Sequence, residues 1–160
     1  PAVVTRIPLY ILWKQMGLLN TYVPLIAPTI FANEPFFVFM LIQFLRGVPK
    51  ELEEAAEIDG CTVFRKFFRV VLPLLTPVIS TVVIIVTLNV WNEFMTPLLF
   101  LQSREKDVIL QEVSRNIGQF ATDWTALFPM LMLGVAPLMI FYVFMQKYII
   151  AGVAAGAVKG

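Results

Sequence analysis

The sequence predicts an all-α fold, a polytopic bundle of transmembrane helices truncated on its N-terminal side. Three observations predict it. Of 160 residues, 59% are apolar or aromatic and 14% charged, where soluble domains carry about 45–50% and about 25%. The apolar residues fall into three long runs almost free of charge, and the charges gather in the short segment between the first two runs. Mean hydropathy is +0.81. The balance of 12 basic against 11 acidic residues offers no cationic surface for nucleic acid. With no His and Cys61 as the lone cysteine, a disulfide framework, the usual soft-ligand metal sites and Ser-His-Asp or Cys-His catalysis are excluded.

The chain opens at Pro1 without an initiator Met or a signal-peptide progression, and reads as part of a longer chain. Residues 1–15, interrupted by Arg6 and Pro8, are too short for a full crossing and read as the tail of an earlier helix. Residues 22–45 carry only Glu34 as a charge. As a helix they would extend about 36 Å at ~1.5 Å per residue, enough for a hydrocarbon layer of ~30 Å. Residues 74–101, charged only at Glu93, and 126–150, charged only at Lys147, are the second and third spans. Pro24, Pro28, Pro35, Pro97, Pro129 and Pro137 sit in or beside these runs. Such prolines are tolerated where neighbouring helices satisfy the freed carbonyls, so kinked, packed helices are expected. The closing AGVAAGAVKG, residues 151–160, reads as a flexible tail.

Between the first two spans, residues 46–73 form a loop with Arg46, Lys50, Arg65, Lys66 and Arg69. Lys and Arg in short loops mark the cytoplasmic side, which places residues 17–21 and 102–125 outside and the C-terminus, with Lys147 and Lys159, inside. The same loop holds Glu51, Glu53, Glu54, Glu57 and Asp59. Pro49 suits a first helical position, the acids fill the first turns and Gly60 stands where a cap belongs, so a helix is expected over residues 50–59. After Thr62 as N-cap, Phe64, Phe67, Phe68 and Val71 recur at i, i+3, i+4 and i+7 with Arg65 and Arg69 opposite. That is a second, amphipathic helix ending at Leu72-Pro73. Two readings stay open here: a docking surface for a partner, or a solvated loop whose charges mark topology.

Glu34 lies near the middle of its run, where an ionised side chain costs on the order of 2.5–3.5 kcal/mol. It is either a pathway residue or a packing group at a helix break beside Pro35. Asn89, Asn92, Glu93 and Thr96 recur at helical spacing as one polar stripe, read as pathway lining at Asn92 and Glu93 and as interhelical hydrogen bonding at Asn89. Trp124, at the outer end of its span, reads as an interfacial anchor.

EAAEIDG at residues 54–60, followed nine residues later by Val70-Val71-Leu72-Pro73, resembles the E-A-A-x3-G-x9-I-x-L-P loop of ABC importer permeases, with Val70 in place of the usual Ile. IPLY, GLLNTY, WNEFMTPL, TDW and AGAVKG resemble the carbohydrate branch, the shorter permease subunit of maltose-type systems. The likeness implies the C-terminal part of a six-helix, cell-membrane permease. It implies that the loop is a coupling helix seated in a cleft of a cytoplasmic ATPase subunit dimer. By matched position Glu54 is the ion-pairing residue, Ala55 and Ala56 the close-packed surface, Gly60 the bend and Leu72 and Pro73 the hinge into the membrane, with Asp59 inside the motif. ATP and Mg would be held by that partner and no cofactor by this chain, in keeping with the absence of a G-x4-G-K-[ST] loop. A second permease subunit, an extracytoplasmic solute-binding protein and the lipid bilayer are the other implied partners. Trp91, like Trp124, is a candidate for stacking on a sugar, and the tail a candidate for insertion between ATPase subunits. Leu41-Ile42-Gln43 departs from the pattern by lacking an Arg before Gln, which leaves inner-end anchoring to Arg46. The alternative from another class is a proton-coupled secondary transporter using Glu34 and Glu93.

Overall fold

A computed structural model describes residues 2–32, 34–117 and 122–157. The described residues contain helices and connecting turns and no strand. They divide into two compact units, Pro1–Asn33 with Leu88–Tyr142, and Glu34–Thr87 with Val143–Gly160.

In the first unit, helix α1 (Ala2–Gln15) ends on Gly17, whose φ of 69° only glycine adopts freely. There the Leu18 and Gly17 amides donate to the Trp13 and Lys14 carbonyls, each at 3.0 Å, closing the last turn. Helix α2 (Val23–Ala32) follows. Buried Pro24, Phe100, Leu101 and Leu127 are this unit's apolar centre, and the Tyr10 ring stacks on Phe100 at 6.2 Å.

The second unit contains α3 (Pro35–Arg46) and α4 (Lys50–Ile58). A helical run follows, made of α5 (Val63–Lys66), a π-helical stretch (Phe67–Val71) and α6 (Leu72–Leu74). This run meets α7 (Thr76–Trp91) at a 70° bend. Pro73 and Pro77 lack the N–H groups that an unbroken helix would need on either side of Leu75, and a proline ring displaces the carbonyl four residues back. Ala56, Leu75 and Val78 are buried here.

Val23–Arg46 and Trp124–Ile149 are long and apolar enough to cross a membrane. Along α10 (Trp124–Ala157) apolar side chains such as Phe128, Met132, Val135, Met139 and Val143 are exposed, as on a helix whose surroundings are lipid or other helices. Within Val23–Arg46, Glu34 has an extended backbone (φ −90°, ψ 103°) as N-cap of α3, because the residue before a proline is pushed out of the helical region; this is the helix break beside Pro35, one of the two readings of that residue. Two expectations change. Residues 74–101 are a 16-residue helix, a break at residues 92–94 and the six-residue α8 (Met95–Phe100). If the helix continued, the Pro97 ring would collide with the Glu93 carbonyl. The segment at residues 102–123 holds a 3-10 turn (Arg104–Lys106) and α9 (Ile109–Asn116); its residues 118–121 lie outside the described residues. The C-terminal segment is helical through Ala157, in line with its run of alanines, the best helix formers. Lys159 lies outside the described residues.

Candidate functional site

The loop between α3 and α7 builds a helical hairpin from local signals. Pro49 is the N-cap of α4, and Glu51 and Glu53 lie in its first turn, favourable beside the positive end of the helix dipole. Gly60, at φ 74°, ends it. The Cys61 amide donates to the Ala56 carbonyl at 3.0 Å and the Gly60 amide to Glu57 at 2.9 Å, the double closure of a glycine-terminated helix. Asp59 is the exposed C-cap. Thr62 Oγ1 then accepts from the Arg65 amide at 3.4 Å and starts the second helix. The π-helical stretch at residues 67–71 breaks the regular i, i+3, i+4 face expected of Phe64, Phe67, Phe68 and Val71.

The hairpin sorts the motif residues into two groups. Ala56 is 6% exposed and packs inside the hairpin, so of the two alanines expected to form one outward surface, only Ala55 is exposed. Glu54, Ala55 and Ile58, the last 86% exposed, stand outward. So do Val63, Phe64 and Phe68 on the second helix. Glu53 and Glu57 instead face Lys66. Leu72 is half-buried and Pro73 exposed, both just before the bend.

A second polar cluster surrounds the break between α7 and α8 in the first unit. The expected stripe of Asn89, Asn92, Glu93 and Thr96 is not a helix face, because the helix stops at Trp91. The Asn92 side-chain Nδ2 donates to the Leu88 carbonyl at 2.8 Å and closes α7. Glu93 Oε1 accepts from the Thr96 amide at 2.9 Å and hydroxyl at 3.0 Å, opening α8. Arg6 of α1 lies 3.6 Å from the same carboxylate, a pairing between residues far apart in the chain that no local spacing announces. Trp91 Nε1 donates to the Gly134 carbonyl at 3.0 Å, so its one polar group is committed to α10. Glu34 is exposed at the start of α3, and Arg46 is exposed in that helix's last turn. Trp124 is exposed in the first turn of α10. There Asp123 Oδ1 accepts from the Thr125 amide at 3.0 Å, which gives TDW a capping role.

The third cluster has no signature in the sequence. Asn20, at φ 58°, accepts at Oδ1 from the Gln102 amide, the Ser103 amide and the Ser103 hydroxyl, each at 3.0 Å. Its own amide donates to Phe100 at 2.8 Å, and its carbonyl accepts from Lys106. In the adjoining loop Arg115 Nε lies 2.5 Å from Asp107, whose side chain is 3% exposed, and Arg104 pairs with Glu112. The Arg104 hydrogen bond is the chief cause holding the Glu112 carboxyl below its ordinary value of 4.5. A lowered carboxylate pKa contributes stability above the unfolded value and loses it as pH falls through the folded one. Hydrogen exchange of α9 is therefore expected to quicken below pH 4.5, with that step absent in Glu112→Gln.

A family described as the inner membrane component of binding-protein-dependent transport systems matches residues 1–155. The chain belongs to this family. Its membership and its long apolar helices place this inner membrane component in a membrane. The arabinooligosaccharides transport system permease protein AraQ of Halalkalibacterium halodurans is 36% identical over 100% of this chain and 57% of its own length. The melibiose/raffinose/stachyose import permease protein MelC of Bacillus subtilis is 33% identical over 100% of this chain and 58% of its own. The chain thus spans little more than half the length of the curated relatives it matches. A crystal structure of a bacterial ABC transporter involved in the import of the acidic polysaccharide alginate shares the fold, at TM-score 0.73 and 21% identity over 89% of this chain and 55% of that one. Among the described residues of this inner membrane component no group of three or more His, Cys, Asp or Glu is placed to hold a metal ion.

Proposed function

We propose that this protein acts as the membrane-spanning permease subunit of an ATP-driven importer of saccharides, and that the α4 hairpin couples it to a separate ATPase subunit on the cytoplasmic side. The observation that carries the reading is the outward set Glu54, Ala55 and Ile58 beside Val63, Phe64 and Phe68. It combines a free carboxylate for a charge-assisted bond with apolar side chains that solvent alone does not favour exposing. Similarity to AraQ and MelC supports saccharides as the cargo. ATP and its Mg belong to the ATPase dimer in this reading; closure of that dimer pulls the hairpin and reorients the spans. The C-terminus lies on the same, inner side. A second permease subunit and an extracytoplasmic solute-binding protein complete the assembly; Trp91, Asn92 and Glu93 are the pathway residues proposed in the first unit, and Glu34 the one proposed in the second.

Proton coupling through Glu34 and Glu93 is the weaker reading, since Glu93 is held by Arg6 and Thr96. Membrane vesicles from cells carrying the full-length protein and its partners test the choice with radiolabelled raffinose and arabinotriose. Uptake that needs ATP, stops with vanadate and survives a protonophore is expected. Vanadate-insensitive uptake that collapses with the proton gradient would overturn the proposal.

A further inference from the structure

Lys66 reaches from the second helix of the hairpin back to the first. Its Nζ lies 2.5 Å from Glu57 Oε1 and 3.8 Å from Glu53 Oε2, two carboxylates one turn apart on one face of α4. The Lys66 side chain is largely covered, whereas both acids are open to solvent. The Glu57 hydrogen bond is the largest cause raising the ammonium's pKa above its ordinary 10.5, so the cation persists at any physiological pH. Apart from this contact, α4 is joined to the 63–74 run by the turn at residues 60–62 and by the burial of Ala56. Among the described residues, every ion pair between the two helices is made by Lys66. The next residue, Phe67, begins the π-helical stretch that leads to the bend at Leu75.

We propose that Lys66 is a positioning residue that locks α4 to the 63–74 run, so that displacement of α4 by the ATPase subunit reaches the Leu75 bend as motion of one rigid piece. The inference rests on the coupling role proposed above. The Gly60 turn and buried Ala56 fix one end of the hairpin; a second attachment away from the turn restrains the remaining freedom in the angle between the helices. A pair whose two acids are open to solvent adds little to folding stability. Its loss therefore shows in transmission rather than in folding.

The test uses the full-length permease assembled with its ATPase subunit and second permease in proteoliposomes. Nitroxides on Glu51 and Arg69, both exposed and outside the outward docking set, report the angle between the helices, and radiolabelled raffinose moved per ATP hydrolysed reports transmission. Lys66→Met is expected to broaden the distance distribution and lower the uptake ratio at least about fivefold, the low end of coupling between sites. Retention of the ATPase subunit should stay within about twofold. Lys66→Arg, and the charge swap Lys66→Glu with Glu57→Lys, should restore both readouts. An unchanged distribution and ratio in Lys66→Met, or a charge swap as loose as Lys66→Met, overturns the lock. If Lys66→Met does not assemble, the charge swap decides: a narrow distribution supports the lock, and a broad one or failed assembly overturns it. Absence of ATP-driven uptake in the unaltered protein defeats the coupling role itself, and the nitroxide distances then judge the lock separately.

Discussion

Glu54→Arg is expected to weaken capture of the ATPase subunit by about 30-fold or more, the equivalent of roughly 2 kcal/mol, because removing one partner of a desolvated charge pair costs about 2–5 kcal/mol. The structure leaves this carboxylate exposed, with no ion pair of its own among the described residues. Its neighbours Glu53 and Glu57 are occupied by Lys66. Reversal at Glu54 therefore leaves the hairpin's internal pairs in place and alters only what an incoming basic residue meets. Glu51→Gln, on the first turn of the same helix, serves as control and should change capture by no more than about twofold, as for an exposed charge. Co-purification of the full-length protein with a titrated ATPase subunit measures both. Equal capture by Glu54→Arg and the unaltered protein would remove Glu54 from the interface.

Asn20→Ala is expected to produce the largest structural loss. It strips one acceptor from the Gln102 and Ser103 amides and the Ser103 hydroxyl. It also puts a β-carbon without a compensating side-chain bond into the left-handed region at φ 58°. Leaving a donor unsatisfied costs about 1–3 kcal/mol, so protection of these amides against hydrogen exchange should fall at least ~30-fold, about 2 kcal/mol. Asn20→Asp keeps the acceptor and should stay within about threefold of the unaltered protein, less than about 1 kcal/mol. Unchanged exchange in Asn20→Ala would show that the turn holds without its side chain.

The parts of the fold written in short-range chemistry are legible in the amino-acid sequence. Pro49, the acid-rich first turns and Gly60 define α4 to within a residue, because a dipole, a missing N–H and a positive φ all act over one turn. The break beside Pro35 is one reading of Glu34 in the sequence, whereas the one at residues 92–94 is harder to see. Hydropathy sums side-chain character and is blind to a proline ring's collision with the carbonyl four residues back, although Pro35 and Pro97 carry that signal. The tail misleads for the opposite reason: Gly and Ala suggest looseness, yet alanine favours the helix that runs through Ala157.

By itself, the sequence determined a membrane-embedded helical chain with one charged, doubly helical loop, since burial in lipid demands long apolar runs and makes every remaining charge conspicuous. Only the tertiary structure decided which of those charges are free. Lys66 claims Glu53 and Glu57, Arg6 claims Glu93, and Ala56 turns inward while Ala55 does not. Such choices depend on the angle of a turn and on contacts between distant segments, and an ion pair falls off over a few ångströms that sequence separation does not record.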